Sequence, residues 1–381
     1  MKENKTTEIR NHSNGKHNKE KNNKGKNNKE ENNKDGRVKR IGLRIVKGIL
    51  IGISVIFALT AILGIGTYLY NKASLKRESK LIHHKGEYVE VDGHNMNLLI
   101  EGAGDKTLVF LAGAGTPSPI LDFKPLTDRL KDDYKVVIIE KFGYGYSDEI
   151  DGERTVDIFT EQDRKALSKA GVEGPYILCP HSSSGLEAMY WANHYPEEVE
   201  AIIGLDMAVP EEYDYMGADF DNMVPEDPEE AAREMEFYDF WVYDVGLMRY
   251  MNAKDIFPAL KSEYLSDEEK REYSAIMYSK YSMSSDATIN HEQWFTENFI
   301  EQMKALHDGP VPDVPTLMFV TNDKMFEPLV QNMDNWLLIH KNYMDNITNG
   351  KLIELDASHY FYTEIPDEVK TDIDEFIGGL D

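Results

Sequence analysis

A recurring pattern constrains this chain more than any single motif. Short apolar runs appear at Thr107-Leu-Val-Phe-Leu, Lys135-Val-Val-Ile-Ile-Glu, Tyr176-Ile-Leu-Cys, Ala201-Ile-Ile-Gly-Leu, Pro315-Thr-Leu-Met-Phe-Val and Lys351-Leu-Ile-Glu-Leu. Apolar residues follow one another in them without alternation, so both faces of each strand must be covered. Helically spaced segments at 120–130, 157–170 and 185–194 separate the first four. Strands covered on both faces and alternating with helices define an α/β fold around a mostly parallel sheet. A hairpin around Asp92-Gly93 precedes the first run, and a helix at about 367–377 closes the chain.

The pattern stops after Pro210. Residues 211–312 are rich in Asp, Glu, Tyr, Phe and Met and show no strand pattern. Met235, Tyr238, Trp241, Val242, Val245 and Met248 read as one face of a helix. A helical cap at about 209–312, inserted between two strands, is the expected arrangement.

Ahead of the α/β region lies a different kind of sequence. Residues 49–70, ILIGISVIFALTAILGIGTYLY, carry no charge. At 1.5 Å per residue they reach about 33 Å, the thickness of bilayer hydrocarbon. A core helix rarely runs that far without a charge, and a signal peptide has a shorter apolar stretch behind a shorter basic head. We therefore expect an uncleaved single-pass transmembrane helix at 47–71. Residues 1–46 are mostly Lys, Asn, Glu, Gly and His; with almost nothing apolar, they are expected to be a disordered basic tail. Residues 72–86 read as a polar linker and 87–381 as the folded domain. Roughly 15 basic residues precede the span, against Lys72, Lys76, Arg77, Lys80 and Lys85 just after it. That imbalance places the tail in the cytoplasm and the domain outside, with Tyr68 and Tyr70 in the interfacial belt.

The 68 acidic and 42 basic residues leave a net charge of −26. This argues against nucleic acid as a partner, since phosphate recognition needs a basic face. The single cysteine, Cys179, rules out an internal disulfide and sits in an apolar run, where a thiol behaves as a small buried hydrophobe. Oligomeric state is not legible in the sequence.

The chemistry centres on Pro180-His-Ser-Ser-Ser-Gly. A serine between a strand end and a helix start, among small residues, has the form of a nucleophile elbow. The alternative is an ordinary serine-rich turn. Ser182 is the candidate nucleophile. A serine hydroxyl needs a base to take its proton and a third group to orient that base. His359, just after the last strand, is the candidate base, at the sheet edge where α/β folds build their sites. His291, His307 and His340 fall in expected helices and His194 at a helix end, and all read as structural. His181 should point inward. Two aspartates follow strands and could orient His359: Asp206 in Gly204-Leu-Asp and Asp323 in Thr321-Asn-Asp. Asp206 is preferred; the plain readings are a loop anchor for Asp206 and a helix cap for Asp323. The backbone N–H groups of Ser183 and Ala114 would form the oxyanion hole. Ala112-Gly-Ala-Gly lacks the lysine and spacing of a phosphate loop, and no metal-ligand spacing occurs.

These motifs together resemble the α/β-hydrolase superfamily over about residues 87–381. Leu111-Ala-Gly-Ala-Gly, Glu140-Lys-Phe-Gly-Tyr-Gly-Tyr-Ser-Asp, Pro180-His-Ser-Ser-Ser-Gly, Tyr195-Pro-Glu-Glu-Val, Gly204-Leu-Asp, Ser358-His359 and Glu364-Ile-Pro occur in the family's order. The resemblance implies a Ser-His-acid triad, a cap after the sixth strand and no cofactor. It also supports Asp206, because some lipases and related hydrolases carry the acid in a similar Gly-Leu-Asp stretch. This chain departs from the family pattern at Ala112, Glu140, Pro180 and Ser184. The expected activity is hydrolysis of a carboxylic ester on a small-molecule acyl substrate, with the cap shaping an apolar acyl pocket and disfavouring anions. An aminopeptidase-like amide hydrolase and a catalytically degenerate surface protein are the rival readings.

Overall fold

The computed structural model describes residues 14–150, 152–225, 227, 233, 240–250, 257–282, 296–324 and 327–380, with side chains from residue 37 onward. Two units are distinct, Met1–Gly66 and Thr67–Asp381.

The second unit has the α/β-hydrolase fold. Its sheet has eight strands: β1 (Glu87–Val91), β2 (His94–Glu101), β3 (Thr107–Leu111), β4 (Lys135–Glu140), β5 (Tyr176–Pro180), β6 (Val199–Leu205), β7 (Thr316–Thr321) and β8 (Gly350–Leu355). Their order across the sheet is β1-β2-β4-β3-β5-β6-β7-β8. β1 and β2 form the hairpin, and β2 pairs antiparallel with β4; from β4 to β8 every pairing is parallel. Asp92 and Gly93 at the hairpin tip both have positive φ, 52° and 90°. This is the primed turn that matches the twist of a two-residue hairpin.

Side chains alternate across the pleat, so the continuous apolar runs supply two cores at once. Val109, Leu111, Val137, Ile139 and Leu178 face one side, with Trp191 and Met189 packed on them. Leu108, Phe110, Val136, Ile138 and Ile177 face the other, against Phe123, Leu126, Ile373 and Phe376. The covering helices are α2 (Pro119–Leu130), α3 (Val156–Lys169) and α4 (Ser184–His194) early in the chain, and Pro366–Ile377 at its end. Cys179 is fully buried, and that burial pushes its thiol pKa up.

Between β6 and β7 the described residues hold helices and turns only, among them Glu212–Met216, Asp267–Ser282 and Glu297–Asp308. The single helix face expected from 235 to 248 is corrected in part. Met235 and Tyr238 lie outside the described residues, Phe240–Asp244 is a π turn and Leu247–Tyr250 a 3-10 turn. Gly246, with φ of 83°, breaks the helical run between them.

The N-terminal region also departs from expectation. One helix, α1, runs from Asn14 to Glu78 and contains the whole apolar stretch. Residues 72–86 are no free linker: α1 continues to Glu78 and a 3-10 turn covers Ser79–Leu81. Among the described residues, one helix is long and apolar enough to cross a membrane.

Candidate active site

The elbow is built by backbone strain. Ser182 has φ of 54°, a left-handed conformation that costs a non-glycine residue about 1–3 kcal/mol and persists only where the surroundings enforce it. They do so on three sides. The His181 N–H donates to Leu111 O (3.0 Å), ending β5 against β3, and the Ala208 N–H donates to Ser182 O (2.7 Å). Gly113 lies so close that a Cβ there would come within 2.7 Å of the Ser182 Cβ. Pro180 is the last residue of β5, where a missing N–H costs only the end of the ladder.

Ser184, one of the departures from the family pattern, has a definite partner set. Its hydroxyl donates to Ala112 O (2.6 Å) and accepts from the Lys141 ammonium (2.9 Å). Lys141 is itself buried, reaches Ala112 O at 3.3 Å and pairs with Glu187 at 2.6 Å. A glycine at 184 could not tie the elbow to the Gly-rich loop. Arg154 and Asp163 complete this buried group. Burial, reinforced by the Glu187 charge, pushes the Asp163 carboxyl well above its usual range.

His359 lies on the loop after β8. Its Nδ1 and Asp206 Oδ2 are 2.7 Å apart, with both residues buried. Asp206 has φ of 47° and is held by β7 and the helix beyond it. Its Oδ1 accepts from the Thr321 N–H (2.9 Å) and Trp336 Nε1 (3.2 Å), and its Oδ2 from the Thr321 hydroxyl (2.7 Å). Burial alone would raise the Asp206 pKa, but the hydrogen bonds from His359 and Thr321 outweigh it and hold the carboxyl below its usual range. An ionised carboxylate on Nδ1 fixes the tautomer that leaves Nε2 as proton acceptor.

Asp323 reaches the same residue elsewhere, its Oδ2 accepting from the His359 backbone N–H at 2.9 Å. His181 points inward, its ring 4.4 Å from that of His359 and packed against Tyr360 and Tyr362. Burial, then the nearby His359, depresses its pKa well below the usual value, so it is neutral. His340 and His194 bond backbone carbonyls, while His307 bonds Asp308 and Asp214; His291 lies outside the described residues.

The two expected oxyanion donors meet through a side chain: the Ala114 N–H donates to the Ser183 hydroxyl at 2.8 Å. Beside them is a cavity of about 110 Å3, lined by Ala114, Ser183, Leu186, Phe159, Met303 and Lys141 among others. Arg154 and Glu187 also contribute to its wall. Sequence reasoning missed Thr321, Trp336, Lys141 and Glu187. Only Lys141 left a local signal, a charge directly after a buried strand.

The fold recurs in solved structures. The Bacillus megaterium epoxide hydrolase superposes with a TM-score of 0.54 at 20% identity, over 77% of this chain and 100% of that one. A thermophilic esterase from Thermogutta terrifontis gives 0.53 at 15% identity, over 77% and 99%. An uncharacterized Bacillus subtilis protein, YbdG, is 29% identical over 317 residues, 82% of this chain and 91% of its own length. No family model matches the chain.

Proposed function

We propose that this protein is a membrane-anchored serine hydrolase that cleaves a carboxylic ester with a short acyl group. The observation that carries the reading is the buried 2.7 Å contact between His359 Nδ1 and Asp206, in a chain whose strained turn presents Ser182. A hydroxyl, an imidazole and an orienting carboxylate form the minimum set for acyl transfer. Ser182 attacks the carbonyl, and His359 takes its proton and returns it to the leaving alcohol. Water then repeats the sequence on the acyl-enzyme, with Asp206 stabilising the imidazolium each time. The N–H groups of Ser183 and Ala114 stabilise the oxyanion, which requires the Ser183 hydroxyl to give up Ala114 to the substrate. The small cavity beside them favours a short acyl chain. Hydrolytic neighbours, an epoxide hydrolase and an esterase, are in keeping with this reading. In this reading the apolar helix is the anchor, and the excess of basic residues before it supports a domain outside the cell.

Turnover of p-nitrophenyl esters by the full chain in detergent is the test. Acetate or butyrate should be hydrolysed faster than palmitate and faster than the matching anilides, and Ser182→Ala should lose at least 1,000-fold in kcat. Undiminished ester turnover by Ser182→Ala would reject the nucleophile, and a preference for aminoacyl anilides would favour the peptidase reading.

A further inference from the structure

The segment 240–250 packs around the residue that directly follows the apolar run. The Asn71 Nδ2 donates to Asp244 O (3.1 Å), and Arg249 Nε donates to Asn71 Oδ1 (2.5 Å). Arg249 also grips Glu78 with both terminal nitrogens, at 2.9 and 2.7 Å, and lies over the Tyr278 ring. Lys72 pairs with Asp244 at 3.1 Å. Gly246 fits against Asn71 so closely that a Cβ would fall 2.7 Å from the Asn71 Cβ. Asn71 is 1% exposed, so this contact is closed and fixed.

The same segment presents large apolar side chains outward: Phe240, Trp241, Leu247 and Tyr250 are 48%, 36%, 41% and 66% exposed. Tyr68 and Tyr70, which precede Asn71 on α1, are exposed as well. Clustered apolar surface of this kind marks a partner. Its depth identifies which one. If 49–70 spans the hydrocarbon, residue 71 stands at its boundary, and a segment bonded to Asn71 stands within a few ångström of the same plane. Trp and Tyr are the residues that favour that zone, with an apolar body and a polar tip.

Resting on the anchor reading, the geometry points to a second membrane contact: residues 240–250 form an interfacial foot whose Phe240, Trp241, Leu247 and Tyr250 enter the headgroup region of the bilayer beside the anchor.

The test uses the full chain reconstituted in phosphatidylcholine vesicles containing lipids spin-labelled at the headgroup or at a shallow acyl carbon. Trp191 and Trp336 are buried in the domain, the apolar run contains no tryptophan, and the fourth, Trp294, is replaced by Phe in the reference chain and in the variant alike. Lipid quenching of tryptophan fluorescence should therefore fall at least two-fold in Trp241→Phe. Carbonate extraction of the same vesicles separates the two layers of the claim. Protein that stays with the vesicles while Trp241→Phe leaves quenching unchanged sinks the foot and leaves the anchor. Protein released into the supernatant sinks the anchor and the foot with it. A photoreactive group at position 240 should cross-link to lipid; cross-linking to a second copy of the chain would assign the face to a protein partner instead.

Discussion

Asp206 and Asp323 follow neighbouring parallel strands, and both touch His359, yet they hold different parts of it. Asp206 meets the ring and is itself held by Thr321 and Trp336. Asp323 accepts from the backbone N–H and so fixes the loop rather than the imidazole. A carboxylate against Nδ1 changes the energy of the protonated ring during turnover; one against the backbone contributes the same before, during and after the reaction. Two chemically identical groups one strand apart therefore differ in what they can do for catalysis.

The first way to break this comparison is to remove each charge. Asp206→Asn should lower kcat by roughly 1,000- to 10,000-fold, because the amide can favour the wrong imidazole tautomer and cannot stabilise the imidazolium. Asp323→Asn should cost less than about ten-fold, since an amide oxygen can still accept from the backbone. Equal losses, or the reverse order, would exchange their roles. A smaller effect sharpens the picture. Thr321→Val removes the hydroxyl hydrogen bond to Asp206 Oδ2 and leaves the backbone N–H bond to Oδ1 in place, a loss of about 1–3 kcal/mol at a buried charged acceptor. Its pH–rate profile should lose activity at a higher pH on the acid side than wild type, because the depressed Asp206 pKa relaxes upward. Thr321→Ser should restore the wild-type profile.

The last effect lies away from the reaction and is read in stability, not in turnover. Burial pushes the Asp122 carboxyl up to about 7. Its folded value exceeds its unfolded one, so between about pH 4 and 7 the unfolded chain gives up a proton that the folded chain retains. Stability falls across that window and levels off above it. Asp122→Asn should thus be more stable than wild type at pH 8 by about 1–4 kcal/mol, with the advantage gone near pH 4. Thermal unfolding at the two pH values reads this directly, and an equal advantage at both would exclude the titration.

The sheet was legible because strands buried on both faces cannot alternate: Val109 and Leu111 serve one core, Phe110 and Leu108 the other, and the run reads as continuous. Ser182 and His359 stood out from their places at strand ends, and the structure sets Ser182 in a left-handed turn and His359 against Asp206. The choice between two acids was not open to sequence reasoning in the same way, because Asp206 and Asp323 both end strands and only distance separates their tasks. The latch of Ser184, Lys141 and Glu187 left only one trace, the charge of Lys141 directly after a buried strand, since its contacts join residues 43 to 72 positions apart.

The most direct measurement of the central claim is a map of the adduct formed by a fluorophosphonate probe on the full chain in its membrane. The account predicts one labelled peptide carrying the phosphonate on Ser182, labelling abolished in Ser182→Ala, strongly slowed in Asp206→Asn and nearly unchanged in Asp323→Asn. An unlabelled wild type, or an adduct on a different serine, would contradict it.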